Sequence, residues 1–224
     1  MHYATEPRRE HLNHGLRHDP FKAIVAPRPI GWITTMSNSG VVNLAPYSFF
    51  NAVCDAPPFV MFSSSGRKDS LRNIEENGEF TCSVATQPLV DQKNLSSAPV
   101  VSEISEYDLT TLATAPSLVV RPPRVAESPA ALECRLWKTV ELPLAEGDRL
   151  HTVVFGKVVA IYIDERVVRD GILDTAAMRP LARMGYMDYA VVTPETTFTL
   201  NRPQVAQDRR SAQVTPGPWD GVYR

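Results

Sequence analysis

Residues 27–86 read PRPIGWITTMSNSGVVNLAPYSFFNAVCDAPPFVMFSSSGRKDSLRNIEENGEFTCSVAT, and the texture of this stretch decides the fold. Ile30 to Met36 is rich in strand-forming residues, Ser37-Asn38-Ser39-Gly40 is a turn, and Val41 to Ala45 resumes an extended chain, so the pair predicts a hairpin. Phe59-Val60-Met61-Phe62 follows two prolines as a buried strand. Then the period changes. Asp69 to Gly78 predicts a short helix capped by Asp69, with Leu71 and Ile74 on one face and Asn77-Gly78 as its stop. Phe80 to Ala85 returns to strand.

Outward from this stretch, extended runs recur at Ala131 to Leu142, His151 to Ile163, Tyr189 to Val192 and Thr196 to Leu200, and a second helix is expected within Gln87 to Ser97. Residues 98–117 alternate Pro, Ser, Thr and acidic side chains, which predicts a long surface excursion rather than core. Many short strands with only a few short helices predict a mainly β fold, an antiparallel sheet closed into a barrel, because closure removes exposed edges. Alternating strands and long helices, as in a doubly wound sheet, are absent. So are GxGxxG, P-loop, GxSxG and HExxH patterns, which sets aside the nucleotide, acyl-transfer and zinc chemistries those motifs carry. The organisation expected is a polar arm over 1–20, one domain over 21–200 and a tail over 201–224 rich in Arg, Gln and Pro.

The charge balance narrows the function classes. The 224 residues include 23 basic and 25 acidic side chains, a net −2, which lacks the positive excess that grips nucleic-acid phosphates. The longest apolar stretch, Thr152 to Ile163, is broken by Lys157 and falls short of the ~20 residues that span a bilayer. The N-terminus has no apolar signal region, so a cytoplasmic protein is expected, without membrane or nucleic acid as partner. Cys54, Cys82 and Cys134 form no CxxC and are read as reduced thiols, Cys54 and Cys82 as buried and inert. His11, His14 and His18 would share a face if helical and could hold a metal there, but the arm reads as solvated and no metal is expected.

Three segments carry candidate chemistry. In Ser63-Ser64-Ser65-Gly66-Arg67-Lys68-Asp69-Ser70 a strand ends in hydroxyls, a glycine turns the chain, two cations follow and a helix begins. That order suits a phosphate, because a helix N-terminus offers free N–H groups and Arg67 can fork onto two oxygens. It also suits an ordinary surface turn. Asn43 to Asn51, NLAPYSFFN, sets amide and hydroxyl groups beside a Tyr-Phe-Phe run, which reads either as a pocket for a flat, polar-edged ring or as strand-core aromatics with local turns. Gly31-Trp32-Ile33-Thr34-Thr35 could address a ring edge or be a strand with a buried Trp.

Together these segments resemble one family, the flavin reductase-like FMN-binding proteins, also called the flavoredoxin family. The resemblance rests on Arg28-Pro29 through Thr35, Asn43 through Asn51, Pro57-Pro58-Phe59-Val60, Lys68 through Ile74 and Gly78-Glu79-Phe80, in that order and spacing. It continues more weakly through Leu132-Glu133-Cys134, His151 to Val159 and Leu181 to Tyr189, and so covers about residues 20–200. It implies a split β-barrel, a homodimer, and FMN near the dimer interface. Carried over, Trp32, Thr34 and Thr35 with Ser48, Phe49, Phe50 and Asn51 would contact the ring and ribityl chain, and Ser63, Ser64, Arg67, Lys68 and Ser70 the phosphate end. Ser70 stands where the family commonly has Thr, and the hydroxyl is kept. The activity implied is transfer of hydride from NADH or NADPH to FMN and of electrons to a second acceptor, such as a partner monooxygenase. The alternatives are a non-catalytic FMN electron carrier, or a flavin-free barrel that has lost the site. No single acid or base is required, and His151, Arg183 and Tyr186 are the candidates for the nicotinamide or acceptor side.

Overall fold

A computed structural model describes residues 1–6, 8–144 and 147–222. Its frame is a seven-stranded antiparallel sheet: β1 (Gly31–Met36), β2 (Val42–Tyr47), β3 (Phe50–Asp55), β4 (Pro58–Ser65), β5 (Glu79–Val84), β6 (Ala130–Glu141) and β7 (His151–Ile163). The strand order is β2-β1-β5-β6-β7-β4-β3. The expected hairpin is β1–β2, with Ile33 opposite Ala45.

Closure departs from expectation. β2 and β3 are the two edges, and no ladder joins them. They are nonetheless consecutive in the chain, linked only by Ser48 and Phe49, and three Cα–Cα steps of 3.8 Å bring Tyr47 and Phe50 within ~11 Å. The sheet is therefore rolled, with its edges tied at one point rather than zipped. Across this seam the Phe49 carbonyl accepts from the Ser63 amide at 2.9 Å, and the Tyr47 and Phe62 rings lie 4.6 Å apart.

Inside the roll, Ile33, Phe62, Phe80 and Val154 pack with Leu71 and Ile74 of α1 (Asp69–Asn77), whose apolar face joins this core. Lys68, one residue before the expected cap, is the N-cap of α1, and Asp69 sits in its first turn. Gly78 ends the helix at φ 71°, its amide bonded to the Ile74 carbonyl, a conformation that glycine adopts without the cost of a Cβ.

Residues 98–117 are not a plain surface excursion. They contain α3 (Glu106–Thr110), which follows α2 (Val90–Leu95), and Tyr107 and Leu112 join Trp32, Leu44 and Val125 in a second core on the outer face of β1. Glu133 of β6 pins the following loop by accepting the amides of Leu118 and Val119 at 2.6 Å and of Val120 at 3.2 Å. A small sheet of Arg28–Pro29, β8 (Leu181–Arg183) and β9 (Tyr189–Val191) closes one end.

The expected strand over Thr196 to Leu200 does not form; a 3-10 turn, Pro194–Thr196, stands in its place. The tail holds only an exposed two-residue hairpin, Gln204–Val205 with Ala212–Gln213, and its end at 223–224 lies outside the described residues. In the arm, the 3-10 turn Glu10–His14 stops at Gly15, so His11, His14 and His18 do not share a helix face. His14 stacks on Tyr3 and His18 packs on Tyr186. Cys82 and Cys134 are buried, whereas Cys54, expected inside, lies exposed on edge strand β3.

Candidate functional site

An open cleft of about 540 Å³ lies where β2, the Ser48–Phe49 seam, the end of β4 and the N-terminus of α1 converge, with the segment after α2 as its far wall. That volume falls in the range of small-molecule and cofactor sites. β4 leads into it through Gly66, which at φ 76° turns the chain while its carbonyl accepts from the Ser64 hydroxyl and the Lys68 amide. The first helical bond of α1 runs from the Arg72 amide to the Lys68 carbonyl, and no side chain caps the helix. The N-terminus of α1, the positive end of the helix dipole, lines the cleft through Lys68, Asp69 and Ser70.

Charges and hydroxyls gather at this end. Arg67 and Lys68 line it, Arg67 being 3.0 Å from Glu75. Ser70 is buried, and its hydroxyl accepts from the Asn43 amide at 3.0 Å. Asp69 is turned aside by Arg72 and by the Ser102 hydroxyl at 2.7 Å, so its carboxylate does not close the helix end. Tyr47 is buried, its hydroxyl lying beside those of Ser64 and Ser70 without a well-formed hydrogen bond; burial pushes its pKa up, partly offset by these two hydroxyls. Such a group costs stability unless something supplies the missing bond.

Of the twelve residues expected to bind the cofactor, Ser48, Phe49, Ser63, Arg67, Lys68 and Ser70 line this cleft. Ser64 is buried just beneath, while Phe50 and Asn51 begin β3 beyond the seam. Trp32, Thr34 and Thr35 stand elsewhere. All three are fully buried, because β1 is covered on both faces, and their polar groups bond to Ser96 (2.9 Å), Tyr107 (2.9 Å) and Asn73 (3.1 Å). They hold β1 in place and do not line the cleft. His151 begins β7 opposite Ser65 and also lies outside the lining.

Sequence reasoning missed the far wall, Ser96, Ser97, Pro99, Val100 and Ser102, together with Glu106 at the base. Burial pushes the Glu106 carboxyl up, partly offset by the Leu44 amide, which donates to it at 2.8 Å.

A second hollow of about 280 Å³ adjoins the cleft and shares Pro46, Ser48 and Ser97 with it. Here Arg183 and Tyr186 do come together, with Lys22, Arg28, Lys93 and Tyr189. Lys93 donates to the Tyr189 hydroxyl at 2.6 Å, and Arg183 stacks over the Tyr189 ring at 4.6 Å. Burial opposes ionisation of the Tyr189 phenol, but the Lys93 bond and the two cationic charges outweigh it, so its pKa is lowered.

A cleft that offers a helix N-terminus, two cations and hydroxyl groups at one end, and aromatic and hydroxyl groups at the other, suits a phosphate-bearing ring compound. Residues 25–182 match the family model described as flavin reductase like domain. The chain belongs to this family. A relative from Halalkalibacterium halodurans, the uncharacterized protein BH2278, is 36% identical over 190 residues, 83% of this chain and 90% of its own. Among solved structures, nitrilotriacetate monooxygenase component B from Bacillus cereus superposes with a TM-score of 0.80 at 27% identity, over 89% of this chain and 98% of that one. The 2-nitrobenzoate 2-nitroreductase NbaA of Pseudomonas fluorescens follows at 0.75 and 26%, over 90% and 96%. As a flavin reductase-like protein the chain is a mainly β flavoprotein of oxidoreductase type.

Proposed function

We propose that this flavin reductase-like chain holds FMN and catalyses its reduction by NADH or NADPH, passing the electrons to a second acceptor. The observation that carries the FMN assignment is the Tyr47 hydroxyl, buried and unpartnered beside an uncapped helix N-terminus with Arg67, Lys68 and Ser70 around it. The residues present fit the cofactor's phosphate. Arg67, Lys68, Ser70, Tyr47 and the first-turn amides of α1 would hold it, and Ser48 and Phe49 would flank the ring. When bound, the flavin accepts and donates hydride, chemistry that is its own. The chain's part is to bind, to orient, and to keep one side of the cleft open to a nicotinamide. Trp32, Thr34 and Thr35 act from behind by fixing β1, and His151 takes no direct part.

The protein works as a homodimer: Trp137, 65% exposed, packs edge-on against Phe59 and Phe155 on the outside of β4, β6 and β7, with exposed Ile161 nearby in sequence on β7, an apolar face that suits a second copy. The acceptor is a partner monooxygenase or a small oxidised compound, in keeping with the names of the component B and nitroreductase relatives. The test is anaerobic. FMN-loaded protein is mixed with NADH or NADPH and the visible flavin band is followed; bleaching in proportion to protein supports the reductase. A band that persists with both nucleotides overturns it in favour of an electron carrier.

A further inference from the structure

The small hollow beside the cleft gathers Lys22, Arg28, Lys93 and Arg183, and its lining contains no carboxylate. Among the described residues none of the four cations forms an ion pair. Two of them are deeply buried. Lys93 is 4% exposed, and of its three N–H donors one is used, on the Tyr189 hydroxyl. Arg28 is 6% exposed; its terminal nitrogens donate to the Lys22, Val25 and Met184 carbonyls, while its Nε has no partner. Arg183 donates to the Tyr186 carbonyl and lies half-buried over Tyr189. Buried charges in folded proteins are normally paired, because an unpaired one loses its hydration without compensation. Four cations around one hollow, held by neutral carbonyls and a phenol, leave its electrostatics incomplete.

From this we infer that Lys22, Arg28, Lys93 and Arg183 form an oxyanion subsite that docks the carboxylate or phosphate of the second substrate beside the flavin ring. The inference rests on the proposed FMN site, because position gives the subsite its role. Pro46, Ser48 and Ser97 are common to both hollows, and the Lys22 and Arg28 cations each lie 6.0 Å from the Phe49 ring that flanks the cleft. The phosphate-holding end, with Arg67 and Lys68, is a separate part of the cleft and does not line this hollow. A molecule whose anionic group sits among the four cations therefore approaches from the Ser48 side. Asn94 and Ser97 add neutral polar groups at the same wall.

Calorimetry with benzoate and with 2′-AMP, on FMN-loaded protein, tests the subsite. At least one probe should bind, and Arg183→Gln should weaken it roughly tenfold or more, the loss expected for one charge-assisted hydrogen bond. The Kd for FMN should move by less than about threefold, since Arg183 does not line the flavin cleft. Arg183→Lys, which keeps the charge, should restore part of the binding, and Lys93→Met should repeat the loss. A loss confined to benzoate assigns the subsite to a carboxylate substrate; one confined to 2′-AMP assigns it to a pyridine-nucleotide phosphate. If neither probe binds, or if both bind Arg183→Gln as tightly as the unaltered protein, the inference is overturned. Failure of FMN itself to bind overturns the proposed function instead, and the same titrations on the flavin-free chain then decide whether the anion subsite stands.

Discussion

Replacing Lys68 and Arg67 by Ala separates what the cleft does for a ligand from what it does for the fold. Lys68 is exposed at the N-cap of α1, where a contact to a phosphate oxygen is worth about 1–2 kcal/mol once solvent screening is allowed for. Arg67 is already 3.0 Å from Glu75, so moving onto a phosphate gives up an exposed ion pair of ~0–1 kcal/mol and leaves a net gain near 1 kcal/mol. The double variant should therefore lose about 2–3 kcal/mol, roughly 30- to 150-fold in Kd for FMN. Riboflavin has no phosphate, and its Kd should change by less than about threefold. Stability should move the other way in the single Lys68→Ala protein. A cation at a helix N-terminus opposes the dipole by roughly 0.3–1 kcal/mol, so its removal should raise the melting temperature of the flavin-free chain by about 1–4 °C. Fluorescence titration with both flavins and a thermal melt read both effects. Equal losses for FMN and riboflavin would refute the phosphate assignment, and a fall in flavin-free stability would refute the dipole argument.

Other outcomes follow from single groups. Tyr47→Phe removes a buried hydroxyl with no partner, so the flavin-free protein should hold or gain up to about 1 kcal/mol while FMN affinity falls about fivefold; loss of stability without loss of affinity would contradict this. Gly156→Ala places a Cβ 2.3 Å from the Phe80 ring inside the core, and overpacking of about 1–3 kcal/mol should lower the melting temperature by roughly 3–10 °C. Glu106 has a raised carboxyl pKa in the folded chain, so the folded state binds its proton more tightly than the unfolded state does, and stability falls as pH rises from about 4.5 through the folded value. Glu106→Gln keeps an acceptor for the Leu44 amide and has no proton to lose; in urea melts its advantage over the parent should grow across that window, and parallel profiles would exclude the effect.

What the sequence made legible was whatever is local. The β1–β2 hairpin, α1 and the Ser63-to-Ser70 cluster are each set by neighbouring residues, so turn chemistry, an apolar pair at Leu71 and Ile74, and a run of hydroxyls and cations were enough to find them. What local pattern leaves open is long-range. Trp32, Thr34 and Thr35 could address a ring edge or belong to a strand with a buried Trp, and Tyr107 and Leu112, about 70–80 residues later, fold over β1 and bury it. Barrel closure failed for the same reason, since whether β2 meets β3 depends on how the whole sheet rolls. The cationic hollow is legible only in part: Arg183 and Tyr186 are candidates for the nicotinamide or acceptor side, whereas Lys93 comes from α2 and Arg28 from the strand before β1, and no pattern in the chain announces that they meet.

Several unfavourable features of this fold gather in one region, although the buried Asn73 Oδ1, which also has no partner, lies outside it. An uncapped helix with a lysine at its N-cap, a tyrosine hydroxyl without a partner, a buried lysine and a buried arginine without counter-ions all lie on the two adjoining hollows. Each destabilises the ligand-free chain, and each is relieved by an anion. The site is thus built at the expense of the unliganded fold, and ligand binding should return the difference. At an FMN concentration of 100 times Kd, linkage gives about 2.7 kcal/mol, which for a chain of 224 residues raises the melting temperature by roughly 5–11 °C. Benzoate or 2′-AMP added to the FMN-loaded protein should add a further rise that Arg183→Gln lacks. A single rise with FMN and none with either anion would leave the phosphate end intact and remove the second hollow from the functional account.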